Sequence, residues 1–410
     1  MSFFYGIIDT YNPWRLNVSN SKVVINDKGA EFLKNGQMWM YSNNLASDIS
    51  HLENGSVVDI VTEKDAYLGT GYLCKDSHIT VRIFSKKHET IDYDFFEKTI
   101  AEAWEFRKTV EPDNLDNCRV IFGEADGLPG LTIDRYNSVL VSQITCFGLE
   151  KNKAVLYQAL LHVLREEGIE AIYERNDVKS REKEGLSLYK GFYYGEADTV
   201  QVIHENGLKL NVDIENGQKT GYFLDQKSNR VLVRHLAKGK TVLDCFTHTG
   251  GFALNAALGE AKHVTAVDVS NTALEEGRAN AKLNGLKNVS FVQADVFDYL
   301  DTLKHHQFDF IILDPPAFTK SRRTVMKAYN GYKRINMQAM HVLRGGGYLA
   351  TCSCSRYMEC DLFEKMLREA AQEVGVTLKQ ISVTQQNADH PILWNMEESS
   401  YLKFYIFQIV

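Results

Sequence analysis

Five polar residues stand at regular breaks in the second half of the chain: Asp244, Asp268, Asp295, Asp314 and Cys354. Each ends or just follows a short run of β-branched and apolar residues (241–245, 263–267, 289–293, 308–313 and 347–352) that reads as a buried strand. Open α/β sheets bind ligands outside the carboxyl ends of their strands. A carboxylate there accepts hydrogen bonds from hydroxyl or ammonium groups, each contributing roughly 1.5 to 3 kcal/mol. A thiol there can act as a nucleophile once it is a thiolate.

The densest stretch is 240–268, KTVLDCFTHTGGFALNAALGEAKHVTAVD. It reads as strand, small-residue turn, apolar helix and second strand, with an acid about twenty residues past the turn, the position that takes a ribose diol. A nucleoside-containing cofactor follows. Phe246 and His248 sit early in the turn, where a dinucleotide site needs glycine against the pyrophosphate. S-adenosylmethionine has a ribose and no phosphate, and it tolerates the bulkier turn. The run from Asp244 to Phe252 resembles the first motif of a class I methyltransferase. Asp268 would take the ribose hydroxyls and Asp295 the adenine amine. Asp244 would lie beside the methionine end, with Phe246, Thr247 and Gly250 lining the turn.

Upstream, 215–226 (ENGQKTGYFLDQ) carries more Gly, Gln, Thr and aromatic content than a linker requires. It is expected to pack over the cofactor as a lid through Gln218, Lys219, Thr220, Phe223 and Asp225. Downstream, Asp314-Pro315-Pro316 makes a rigid extended turn with carbonyls free to grip a flipped-out base. The following loop holds Lys320, Arg322, Arg323 and Lys327, a basic cluster suited to phosphate positioning in a chain of net charge -7.

The fifth strand ends Cys352-Ser353-Cys354, and its period of two puts both thiols on one face with Cys354 nearer the ligand end. Carbon 5 of cytosine is a chemistry that needs such a thiol. Addition of a thiolate at C6 makes C5 enamine-like and able to attack a sulfonium methyl; loss of the C5 proton and of the thiol completes the reaction. Cys354 is read as the nucleophile and Cys352 as a buried structural thiol.

The elements around these residues divide the chain in three. Residues 1–88 carry short strand signals separated by turn residues, a small β-barrel. Residues 89–200 read as an α+β unit with an amphipathic helix over 92–110, a helix over 152–167, and a polar run at 176–184 taken as solvated. Residues 201–410 begin with a hairpin about Asn206-Gly207 and continue as alternating strand and helix, an α/β doubly wound sheet whose last strand enters antiparallel.

Seven cysteines, an odd number without a C-x-x-C pair, read as reduced thiols in a cytoplasmic protein, with no metal site. Residues 1–17 lack a basic start and a cleavage site, so no signal peptide is expected. No apolar run approaches the roughly 18 residues of a membrane span.

Residues 34–39 with Tyr41, 55–58 and 69–72 resemble the PUA domain of RNA-modifying enzymes. The strings GQKTGYFLDQ (217–226), Asp314-Pro315-Pro316, Ser353-Cys354-Ser355 with Met358, and Ala388-Asp389-His390-Pro391 extend the resemblance. Residues 17–410 look like the bacterial large-subunit ribosomal RNA cytosine-C5 methyltransferases that join a PUA domain, an α+β domain and a class I catalytic domain. The resemblance implies S-adenosylmethionine as donor, ribosomal RNA as partner, Cys354 as nucleophile and Asp314 as the residue holding and polarising the cytosine. Pro315 and Pro316 are read as gripping the base, and His390, in the loop after the sixth strand, as lying on the ligand face. A homodimer through an exposed seam of the first two domains is compatible with it. Two other readings stay open: methylation of an exocyclic amine on guanine N2 or adenine N6, with Cys354 merely structural, and a non-catalytic protein that binds cofactor and RNA.

Overall fold

The computed structural model describes residues 20–410. Residues 1–17, the basis for expecting no signal peptide, lie outside the described residues.

The first unit comprises β1 (Ser21–Ile25), α1 (Asp27–Lys34), β2 (Trp39–Tyr41), β3 (Val57–Thr62), β4 (Tyr67–Leu73) and β5 (Ile79–Ser85). Its sheet runs β1-β3-β4-β5-β2. Leu45, just past β2, bridges back to Ile25 of β1 and so curls the sheet towards a barrel. Val23, Ile25, Met40, Val58, Ile60 and Val81 fill the interior. Strand β2 escapes sequence reading because three residues are too few to show a period.

In the second unit α2 (Tyr93–Val110) is capped by Asp92, which accepts from the Phe95 amide. Its buried stripe of Phe96, Ile100, Ala103, Trp104 and Arg107 follows the helical spacing. Strands β6 (Asn117–Phe122), β7 (Leu131–Tyr136), β8 (Val139–Ile144), β9 (Ala171–Asn176) and β10 (Tyr189–Tyr194) form a sheet in the order β10-β9-β8-β7-β6. A short helix, α3 (Phe147–Lys151), precedes the helix expected over 152–167, which is α4 (Lys153–Val163) and ends earlier. Strand β10 is an exposed edge without alternation, which hides it in the sequence.

The polar run 176–184 is not simply solvated. Arg181 is fully buried and ion-paired to Glu150 at 3.0 Å. Glu184 is buried against Arg82 at 2.8 Å and accepts from Ser77 Oγ at 2.6 Å. The first pair holds the run within the second unit, and the Glu184 contacts fasten that unit to the barrel. A charge survives burial only when paired, and pairing is a tertiary property.

The hairpin of β11 (Val200–Glu205) and β12 (Leu208–Asp213) turns at Asn206 and Gly207, both at positive φ. The last unit alternates α5 (Lys227–Ala237), β13 (Thr241–Cys245), α6 (Gly251–Leu258), β14 (His263–Asp268), α7 (Asn271–Leu283), β15 (Val289–Gln293), α8 (Val296–Thr302), β16 (Phe308–Leu313), α9 (Val325–Val342), β17 (Leu343–Ser353), α10 (Cys360–Val374), β18 (Leu378–Thr384) and β19 (Lys403–Ile409). The seven strands run β15-β14-β13-β16-β17-β19-β18, and β19 alone is antiparallel to its neighbours. Helices cover both faces, so β13 and β16 are buried almost throughout. The order reverses beside β13, the point at which doubly wound sheets open a crevice. Among the described residues no helix is long and apolar enough to cross a membrane.

Candidate active site

The turn after β13 is built on three positive-φ residues, Phe246 (63°), His248 (53°) and Gly250 (89°). Two of them lack glycine's freedom, so surrounding contacts must hold them there. Asp244 does part of this: its Oδ2 accepts from Thr247 Oγ1 at 2.5 Å and from the Ala253 amide at 2.9 Å. Its Oδ1 is buried without a protein partner. Burial, reinforced by the carboxylates of Asp314 and Asp268, pushes its carboxyl up to about 7 against those hydrogen bonds. An orphaned buried acceptor needs a donor, and none of the described protein groups supplies one.

At the end of β14, Asp268 accepts from the His248 and Ser270 amides, each at 2.9 Å. It thereby ties the turn after β13 to the end of β14. Asp295 is exposed and caps α8, with one oxygen accepting from the Phe297 amide at 2.8 Å and from the Asp298 amide at 3.3 Å. Its other oxygen faces no protein donor among the described residues.

The 215–226 segment bridges three parts of the molecule. Thr220 is buried and donates to Asp134 of β7, so it pins the segment to the second unit; Gln218 is exposed. The Phe223 ring stands edge-on to His248 at 5.3 Å, over the turn after β13. Burial holds the His248 imidazole below its ordinary value. Asp225 accepts from Tyr401 OH at 2.6 Å and pairs with Lys219 at 3.0 Å, while its Oδ1 is a second buried acceptor without a partner. Burial alone would raise the Asp225 carboxyl; Lys219, His390 and Tyr401 together hold it well below the usual range.

Behind the segment, Arg230 of α5 forms a two-pronged buried pair with Glu205, at 2.6 and 2.7 Å, and donates to the Phe223 carbonyl at 2.9 Å.

A further group of polar residues gathers at the ends of β16 and β17. Asp314 Oδ1 accepts from Cys352 Sγ at 2.8 Å and from Gln226 Nε2 at 3.3 Å. Gln226 Oε1 accepts in turn from Asn229 Nδ2 at 2.7 Å. Burial raises the Asp314 carboxyl above its ordinary value, and it raises the Cys352 thiol well above its own.

Cys354 lies one residue past β17, only half-buried, with its Sγ 3.9 Å from the Pro315 carbonyl. Burial first and the Asp314 carboxylate second push its thiol up to about 11. The flanking serines share one brace. Ser353 Oγ and Ser355 Oγ each lie 3.0 Å from Tyr332 OH, and the Tyr332 ring packs on Phe318 at 4.5 Å. Lys403, buried, donates to the Ser355 carbonyl at 2.8 Å, and burial lowers its ammonium to about 8.

Of the expected substrate contacts, Pro315 is buried and Pro316 exposed at these strand ends. Lys320, Arg322 and Arg323 are exposed and form no ion pair with the described residues. His390 is buried rather than open to a ligand, though near enough to Asp225 to lower that residue's carboxyl. It is 2% exposed, its Nδ1 lies 2.8 Å from Asp389, and its ring packs 5.2 Å from Phe122 of the second unit. Asp389 is itself held by the Arg119 amide at 2.9 Å. The interdomain packing thus occupies the imidazole. Sequence reading missed Gln226, Tyr332, Tyr401, Lys403 and Arg230. Gln226 closes the quoted 217–226 string, but the others carry no local signal.

A seven-stranded sheet with a reversed last strand, a glycine-bearing turn after its first strand and acids at its strand ends define an S-adenosylmethionine-dependent methyltransferase. The family model of that description matches residues 181–404, and a PUA-like domain matches residues 23–86. Along nearly its whole length the chain is similar to ribosomal RNA large subunit methyltransferase I of Klebsiella pneumoniae (strain 342), at 40% identity over 372 residues, 89% of this chain and 92% of that one. The protein of the same name from Erwinia tasmaniensis is 40% identical over 379 residues, 91% and 95% of the two chains. The chain belongs to the family of these methyltransferases. Among solved structures it is similar to a methyltransferase complexed with SAH, with TM-score 0.81 and 25% identity over 95% of this chain and 100% of that one. A Streptococcus mutans SAM-dependent methyltransferase superposes with TM-score 0.80, also at 25% identity over 95% and 100%.

Proposed function

We propose that this protein forms 5-methylcytosine in large-subunit ribosomal RNA, in the cytoplasm, with Cys354 adding to C6 of the target base. The observation that carries this reading is the division of labour between the two thiols. Cys352 is fully buried and spent on Asp314, whereas Cys354 is half-buried at the open end of the strand. A purely structural thiol has no need of a loop braced by Tyr332 on both sides.

In this reading Asp244 and Asp225 hold the ammonium end of S-adenosylmethionine with their unpartnered oxygens, and Asp268 holds the ribose. Phe246, Thr247 and Gly250 shape the turn about the cofactor, Phe223 and Lys219 cover it, Gln218 flanks it at the surface, and Thr220 anchors the cover. Asp295 takes the adenine amine with its free oxygen. When bound, the cofactor supplies an electrophilic methyl on a sulfonium.

The protein's own residues make the base able to accept it. The cytosine is gripped at Asp314-Pro315-Pro316. As the Cys354 thiolate bonds to C6, electron density moves towards N3, where the raised Asp314 carboxyl can share a proton. The adduct leaves C5 nucleophilic. After methylation, C5 loses its proton to a base and the C6–S bond breaks, which returns the thiolate. Lys320, Arg322 and Arg323 meet phosphates of the RNA, and the 1–88 unit adds a PUA-like surface; 89–200 and 201–410 complete the proposed division.

Two similarities support the substrate: the printed names of the relatives, and the PUA-like match. The test is transfer of labelled methyl from S-adenosylmethionine to large-subunit ribosomal RNA lacking its own modifications, with nucleoside analysis. Wild type should yield 5-methylcytidine, Cys354→Ala none, and Cys352→Ala a reduced amount. A methylated guanosine or adenosine made equally by both variants would replace this reading with exocyclic-amine methylation. No transfer by wild type would leave a binding protein.

A further inference from the structure

The loop after β18 leaves one large side chain in solvent. Trp394 is 96% exposed, although the residues around it are fixed. The Leu393 amide donates to Ser399 Oγ at 2.8 Å, the Met396 amide donates to the Leu393 carbonyl at 2.9 Å, and Met396 is buried. Gly36 of the barrel, at φ +98°, packs so tightly on Asn395 that a β-carbon there would stand 2.3 Å from that of Asn395. The indole is therefore held out by an anchored loop.

Beside it opens a cavity of about 350 Å³ walled by Met38, Phe84 and Lys86. It continues past Phe84 and Lys86 into a second cavity of about 510 Å³ that reaches Lys87 and Pro391. Lys86 and Lys87 are exposed and enter no ion pair among the described residues. Of the acids lining the second cavity, Asp126 is bound by Arg107 and Glu89 by Lys98, and Glu102 stands without an ion pair among the described residues. An exposed ring sharing one cavity with Lys86, with Lys87 further along in the next, matches a base and the phosphates that follow it. An aromatic face stacks any base, and lysines track the backbone.

We propose that Trp394, with Lys86 and Lys87, is a stacking platform for a single-stranded part of the RNA outside the methyl-transfer edge. This rests on the reading of the protein as an RNA methyltransferase. The platform joins the barrel to the catalytic unit, so it would hold RNA in a register that both units set.

The test measures the affinity of the full chain for transcribed large-subunit ribosomal RNA, along with KM and kcat for methyl transfer. Variants are Trp394→Ala, Trp394→Phe and the double variant Lys86→Ala/Lys87→Ala. With its side chain in solvent, Trp394→Ala should fold as wild type. It should weaken RNA binding roughly 5- to 100-fold, the loss of one stacked base. That loss should fall on KM rather than kcat, and Trp394→Phe should recover most of it. The lysine variant should lower the slope of log affinity against log salt by roughly 1.4, two single-strand phosphates at about 0.7 each.

Wild-type affinity and KM for Trp394→Ala would overturn the platform. So would a loss seen only with assembled ribosomal particles, which would assign the ring to a protein partner. Absence of 5-methylcytidine from the wild-type product would count against the proposed reaction alone, because the binding comparison still decides the role of Trp394.

Discussion

Cys352 donates its thiol proton to Oδ1 of Asp314 at 2.8 Å, and this one contact separates the roles of two cysteines that sequence spacing places on the same face. Gln226 at 3.3 Å is the other protein group on that carboxylate oxygen. Cys352→Ser keeps a donor and should retain most turnover. Cys352→Val removes it and should cost about 1.5 to 3 kcal/mol in kcat/KM, the range for a hydrogen bond to a charged group. Steady-state kinetics of the two variants beside Cys354→Ala checks this; equal losses in Ser and Val would contradict it.

The thiol of Cys354, pushed up to about 11 by burial and then by Asp314, holds its proton at neutral pH. Thiolate is the reactive form, so site-specific carboxymethylation followed by mass spectrometry should rise about tenfold per pH unit from pH 7 to 10. Cys352 should stay unmodified in the folded protein. Half-reaction near the ordinary 9.0 would show that the folded site does not raise this thiol.

Asp244, at about 7, should make cofactor binding pH-dependent. An ammonium against its unpartnered Oδ1 favours the carboxylate, so binding below pH 7 must release a proton from this group. Affinity for S-adenosylmethionine should rise between pH 6 and 7.5 and then level off. Calorimetry in buffers of different ionisation enthalpy reads the proton directly, and Asp244→Asn should bind more weakly with no such release.

Removing Arg230 would leave Glu205 as a buried, unpaired charge, because the two form one pair at 2.6 and 2.7 Å inside the molecule. Arg230→Met should lower the free energy of unfolding by about 3 to 5 kcal/mol. Urea denaturation measures it. Loss of the bond to the Phe223 carbonyl should also weaken cofactor binding through the covering segment.

Asp389 should contribute acid-sensitive stability. Burial alone would raise its carboxyl above the usual 3.8, but His390, Lys227 and the Arg119 amide hold it well below. A depressed carboxyl stabilises the fold fully above its unfolded value, and the contribution fades as pH falls through and below about 4. The stability gap between wild type and Asp389→Asn should therefore be largest at pH 6 to 7 and shrink towards pH 3. Urea midpoints across that range check the trend.

Much of the catalytic unit was legible in the chain alone. Its strands and helices are long, periodic and punctuated, and chain order places an acid or thiol at each strand end, so Asp244, Asp268, Asp314 and Cys354 could be picked out residue by residue. The reversed last strand followed from the helix-free link before β19. The charged interior could not be read this way. Arg181 and Glu184 look like a solvated run until Glu150 and Arg82 arrive from more than thirty positions away. His390 sits in a motif near the ligand end, yet Asp389 and Phe122 hold it inside the interdomain packing. Tyr332, Tyr401 and Lys403 act through contacts with residues distant in the chain, which no local pattern records. Sequence determined which groups stand at the strand ends, because backbone periodicity is local. Only the tertiary structure decided which of them are paired, buried or left free, because desolvation and charge compensation depend on neighbours that folding brings together.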